Sequence, residues 1–290
     1  MVSYLLHIII LVGFFSILSV SLNIACGYAG ILSLAHAAFY GIGAYAVGLL
    51  TAKAGVPFWP AFLLGSIISC LFGLLVAIPT LRLKGDYLLI ATLGFGEIFR
   101  NSLINWDALT EGPRGITAIP PATLFGFRLA TDQSFFLLLF ACIVLCVGTS
   151  YLLKSSPFGQ VLFAIAEDED GVTALGRNPV RFKVLTMGIS AFWAGVAGGL
   201  YAVYVGYISP NIFSINESIL IFTMVLLGGL RSIRGSILGA FVLIALPEIM
   251  RFVGLPNNIA AVVRQMIYGA LLVLIMYFRP QGFLGTIRLR

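Results

Sequence analysis

Twenty-one consecutive residues, Gln133 to Leu153, carry no charge. Wound as a helix at 1.5 Å per residue, such a run reaches about 32 Å, enough to cross the hydrocarbon core of a bilayer. The rest of the chain supplies little polar surface to keep it in water. Of 290 residues, 60% are apolar and 10% charged, against about 25% charged in soluble domains. Mean hydropathy is +1.06. This balance argues against a cytosolic enzyme, a nucleic-acid binder or a disordered scaffold. A β-barrel is disfavoured too, because its strands would alternate polar and apolar residues.

The pattern recurs along the chain. Tyr4 to Cys26 is one long apolar run whose only ionisable group is His7, and Gly27 to Ala52 is rich in Gly and Ala with His36 in its middle. Phe58 to Leu81, Val184 to Gly206 and Arg264 to Phe278 are further spans, and Tyr87 to Ile104 is one that contains Glu97 and Arg100. Ser218 to Leu230 and Gly235 to Pro247 are shorter pieces separated by Arg231 and Arg234. At about 20 residues per crossing, the fold class is an all-α polytopic membrane protein of about 8–10 transmembrane helices, some broken or re-entrant. A single domain over residues 1–290 is expected. Met1 to Tyr4 has no basic residue and no small-residue cleavage site follows, so the first span is expected to be retained. Cys26, Cys70, Cys142 and Cys146 lie inside apolar runs and read as packing residues.

Lys and Arg collect on the cytoplasmic side of membrane proteins. Placing residues 82–84, 154–183, 231–234 and 279–290 there accommodates eleven of the 17 Lys and Arg. The net charge of +6 then needs no nucleic-acid partner. Residues 105–132, with Pro113, Pro120 and Pro121, form a periplasmic loop in this scheme, and 154–183 a cytoplasmic one.

The stripe from Gly195 to Gly199 reads as close helix packing, since small residues let backbones approach, with a place along a translocation pathway as the alternative. Gly30-Ile-Leu-Ser33 and Gly229-Leu-Arg-Ser232 look like weak internal relatives, and paired Gly-interrupted segments point to the central pathway of a transporter. There is no G-x-x-x-x-G-K-[ST], H-E-x-x-H, G-x-S-x-G or C-x-x-C. Nucleotide, metal and acid–base sites therefore have no residues to build them, and an enzyme is disfavoured. Ionisable residues inside spans demand a reason. His36 reads as a brace for a helix break or a hydrogen-bond partner for substrate. Glu97, Arg100 and Asn101 share a helix face and read as an interfacial ion pair, as do Glu248 and Arg251. Glu217 suits a helix N-terminus.

Residues 154–183 contain four acids in a row, Glu167, Asp168, Glu169 and Asp170, then Ala174, Leu175 and Gly176 before Pro179. One amphipathic helix of about ten residues, two to three turns, is expected around Glu167 to Gly176, with Gly176 as its C-cap and Pro179 preventing its continuation.

Six stretches together resemble the LivM-type permeases of branched-chain amino acid ABC importers. They are Gly27 to His36 running on to Tyr45, Thr92 to Glu97 with Arg100, Ser156 to Gly176, Gly206 to Pro210, Leu227 to Leu230 with Gly235 and Gly239, and Phe278 to Gly282. The resemblance implies a bacterial inner-membrane subunit that pairs with a related second permease, two cytoplasmic ATPase subunits and a periplasmic substrate-binding protein. It implies no cofactor on this chain, with ATP and magnesium on the partners. The segment matching Asp170 to Gly176 would contact an ATPase, although Asp170 and Gly171 depart from the family's E-A-A-x-x-x-G form. ATPase-coupling candidates are accordingly Glu167 to Asp170 and Ala174 to Gly176. Pathway candidates are Ser33, His36, Gly41, Gly43, Glu97, Gly228 and Gly229. The reading is a gated half-pore for an apolar, zwitterionic amino acid. A urea or short-amide permease remains an alternative, as does a secondary transporter using Glu97 as its coupling-ion site.

Overall fold

The computed structural model describes residues 2–83, 85–124, 127–128, 131–251, 257–278 and 281–285. The chain is helical almost throughout. In order it forms α1 (Val2–Asn23), α2 (His36–Gly48), α3 (Phe58–Thr80), α4 (Asp86–Asn105), α5 (Asp107–Thr110), α6 (Asp132–Ser155), α7 (Pro157–Glu167), α8 (Glu169–Ala174), α9 (Pro179–Val205), α10 (Ile215–Gly228), α11 (Ile233–Arg251) and α12 (Asn257–Phe278). One turn of π-helix extends α1 and another α2. Two-residue strands β1 (Thr123–Leu124) and β2 (Phe127–Arg128) pair antiparallel in the 105–132 segment.

Helices α1, α3, α6 and α9 are each long and apolar enough to cross a membrane. Leu63, Ile67, Leu71 and Leu75 of α3 and Leu137, Val144, Leu145 and Leu152 of α6 point outward uncovered. In water these faces would be a liability, and in lipid they are the expected outer surface.

The centre is held by close backbone approach. A Cβ at Gly43 of α2 would collide with the Gly195 backbone of α9, and one at Gly198 with the Tyr40 carbonyl. One at Gly73 of α3 would lie 2.5 Å from Ala191 Cβ. The small-residue stripe of α9 thus packs α2 on one side and α3 on the other, as its composition predicts. Ser69, midway along α3, locks the three together by donating to the carbonyls of Phe39 (2.9 Å) and Ala191 (2.7 Å).

One expectation needs correction. Glu167 to Gly176 is not one helix. Asp168 adopts extended backbone (φ −151°, ψ 100°) and its carboxylate accepts from the Gly171 N–H at 3.0 Å, so it ends α7 and caps α8. A short acid suited to an N-cap overrides the helical pattern around it. As expected, Gly176 (φ +76°) closes the end of α8, and Pro179 beyond it opens α9. It occupies the first helical position behind Asn178, whose Oδ1 accepts from the Arg181 N–H at 3.3 Å, a position that suits proline's fixed φ.

Candidate functional site

Gly27 to Ala52 is a broken span. After its π-turn the chain leaves helical geometry at Gly30 (φ +67°) and re-enters the bundle as irregular backbone until α2 starts at His36. The Phe39 carbonyl in the first turn of α2 meets Ser69 halfway along α3, so α2 begins mid-bundle. Ser218 Oγ, in the first turn of α10, accepts from the Ala37 N–H at 3.1 Å, so α10 begins at the same depth. The two then run to opposite ends. At about 20 Å each, neither crosses a 30 Å core by itself. Two helix N-termini, each with a partial positive charge, thus converge at the middle of the fold.

Helix α4 closes this junction from one side. Leu34, Ala37, Gly96, Glu97, Ser214 and Ser218 line a gap of about 10 Å³ there, room for at most a single water. The opposite face of α4 is uncovered by the rest of the described chain. Nothing lies within 4 Å of a Cβ built on Gly94, and Tyr87, Ile90 and Ile98 on the same face are exposed. Arg100 grips Glu97 through Nε (3.1 Å) and Nη2 (2.9 Å), and Asn101 donates to the Glu97 carbonyl at 2.8 Å.

The other candidates occupy different places. His36 is 2% exposed and its Nε2 lies 2.8 Å from Ser21 Oγ, bracing the start of α2 against α1. Ser33 Oγ accepts from the Ala35 N–H inside the break. Gly41 packs on Phe99 and Phe213, Gly43 on Gly195, Gly228 on Gly235, and Gly229 (φ +105°) on Gly285. These glycines serve close packing, and the structure does not bring them together at the mid-bundle junction. The side chains of Glu248 and Arg251 lie outside the described residues.

At the basic end, three of the four acids are engaged within the chain. Glu167 pairs with Arg231 at 3.1 Å, Glu169 with Lys183 of α9 at 2.6 Å, and Asp168 is the α8 cap. Leu175 is 83% exposed beside Ala174 and Gly176, which are exposed too. Next to them Glu169, Thr173, Arg177 and Val180 border an open groove of about 500 Å³.

Sequence reasoning passed over Asn23 and Arg231. The Asn23 amide donates to the Ser232 carbonyl (3.1 Å) and Ser236 Oγ (2.7 Å), while its Oδ1 accepts from the Arg231 N–H (3.1 Å). The two Gly-x-x-Ser segments are both helix breaks with a left-handed glycine, and Asn23 stitches one to the other. An amide near the end of an otherwise apolar run was the available signal.

An apolar helical bundle with two half-helices meeting at its centre defines a membrane permease. The chain belongs to the family described as branched-chain amino acid transport system / permease component, whose model matches residues 4–276. It is 37% identical to the high-affinity branched-chain amino acid transport system permease protein LivM of Salmonella typhimurium, over 94% of this chain and 68% of that one. It is 29% identical to a probable branched-chain amino acid transport permease protein LivM of Methanocaldococcus jannaschii, over 94% and 90%. It is 27% identical to the permease protein LivH of Escherichia coli K12, over 93% and 91%. No solved structure matches it. The chain is a multi-pass protein of the bacterial inner membrane and a permease subunit of an ABC importer.

Proposed function

We propose that this chain is one half of a translocation pathway for branched-chain amino acids, completed by a related second permease against the uncovered face of α4. The observation that carries this is the mid-bundle meeting of the α2 and α10 N-termini against α4, whose other face is uncovered. A zwitterion carries no net charge, so helix ends and the backbone of the broken segments suffice to hold its carboxylate and ammonium. The gap there is too small for an amino acid, which fits a closed pathway. Similarity to both LivM and LivH relatives supports a pair of related but different permeases.

In this reading residues 154–183 face the cytoplasm and Leu175 with the adjoining groove receives an ATPase subunit. Residues 105–132 face the periplasm and meet a substrate-binding protein. The chain binds no cofactor and catalyses nothing itself, with ATP and magnesium held by two ATPase subunits. The test is uptake into liposomes by the complete complex under competition. Leucine, isoleucine and valine are expected to compete and urea not to. Competition by urea or short amides alone would overturn the substrate class, and loss of uptake to an ionophore with ATP maintained would overturn the energy source.

A further inference from the structure

We infer that Arg231 is the positioning residue through which movement of α7 reaches both helix breaks. The inference rests on the proposed ATP-driven transport and adds to it the route taken inside this chain.

Arg231 sits in the break between α10 and α11 with φ +62°. That left-handed conformation is costly for any residue with a Cβ and natural for glycine. An arginine persists here because its surroundings fix it. Its side chain is 13% exposed and touches two other elements at once. Nε donates to the Gly27 carbonyl at 2.9 Å, at the lip of the first break. Nη1 donates to Glu167 Oε1 at 3.1 Å, at the last residue of α7. The guanidinium carbon lies 4.7 Å from the centre of the Phe163 ring, one helical turn earlier on α7.

Phe163 and Glu167 are four residues apart and so share a face of α7. That face grips the planar head of Arg231 from beside and beneath, a geometry lysine cannot copy. The backbone of Arg231 is meanwhile held by Asn23. A shift of α7 therefore pulls on the Gly27 carbonyl, which leads into the first break and α2, and on residues 229–232, which form the second. Glu167 is 72% exposed, so its ion pair adds little to stability. A contact that does little for folding yet links three elements is suited to transmission.

The experiment measures substrate transported per ATP hydrolysed by the reconstituted complex of permeases, ATPases and binding protein. Arg231→Gly relieves the backbone strain and deletes the grip, Arg231→Lys keeps the charge without the fork, and Glu167→Gln removes the ion pair alone. The ratio should fall at least tenfold in R231G and two- to fivefold in R231K and E167Q. The thermal midpoint of R231G should stay within a few degrees of the parent. Parent ratios in R231G and E167Q would overturn the proposal. So would an R231G chain that fails to assemble beside an E167Q complex of parent ratio, for Arg231 would then be a strut. Absence of ATP-driven uptake in the parent would instead strike the proposed function.

Discussion

His36 Nε2 lies 2.8 Å from Ser21 Oγ, and the Ser21 hydroxyl donates to the Leu18 carbonyl at 2.8 Å. With the hydroxyl proton on Leu18, Ser21 accepts and His36 donates. Ser190 adds a hydrogen bond to the Ser21 carbonyl at 2.6 Å. This small polar knot pins the beginning of α2 to α1 and α9 at the depth where α2 must start.

His36→Ala should therefore act on folding. It leaves a buried polar group short of a partner, a cost of about 1–3 kcal/mol, and should lower the thermal midpoint in detergent. His36→Gln, which restores a donor, should recover part of the loss. Transport per folded molecule is expected to stay within about threefold of the parent. Full stability with abolished uptake would instead put His36 in contact with substrate.

Gly43 and Gly94 are predicted to behave oppositely. Gly43→Ala drives a methyl into the Gly195 backbone, an overpacking cost of about 1–3 kcal/mol or more, and should reduce folded yield. Gly94→Ala meets open space and should be silent in yield. Gly94→Leu should insert normally yet block pairing or passage. Co-purification of the second permease and uptake distinguish the two effects.

Glu97 and Arg100 neutralise each other on α4 at 2.9 Å, with side chains 31% and 26% exposed. Removing one leaves the other charge partly buried and uncompensated, which is costly. Glu97→Gln and Arg100→Gln should each lower folded yield more than apparent substrate affinity, and the double variant should recover yield beyond either single one. Normal yield with strongly impaired affinity in a single variant would place the pair in the pathway.

Leu175→Asp touches nothing that holds the chain together, because the side chain is exposed. Its effect on stability should stay within about 0.5 kcal/mol. If an ATPase subunit covers Leu175, the variant buries an unpaired charge in that interface, and co-purification with the ATPase and binding-protein-stimulated hydrolysis should both fall at least tenfold. Parent values for both would make the α8 end an ordinary solvated surface.

Much of the architecture is legible in one dimension because lipid imposes a simple rule: a crossing helix must be long and apolar. Gln133 to Leu153 and Phe58 to Leu81 needed nothing more. The glycines at 30 and 229, each with a serine three residues on, sit at the two breaks, though their pattern pointed to a central pathway and Gly229 instead ends α10 against Gly285. The Glu97–Arg100 pair followed from helical spacing. The division of residues 167–176 did not, since a run of four acids conceals which one turns its carboxylate back to cap a helix. The partnership of Asn23 and Arg231 was hidden for a different reason. Their positions are 208 apart, and no local pattern announces a contact at that distance.

The tail contributes to the same region. The Phe283 and Leu284 N–H groups donate to the carbonyls of Leu227 (2.8 Å) and Gly228 (3.0 Å), which end α10. Those carbonyls leave the ribosome more than fifty residues ahead of their partners. At roughly 5–20 residues per second of synthesis, they wait several seconds in an unfinished junction. The last knot of the fold is thus tied only when its tail arrives, and a nascent chain stopped before residue 281 carries the helices of the bundle with the α10 end still unfastened.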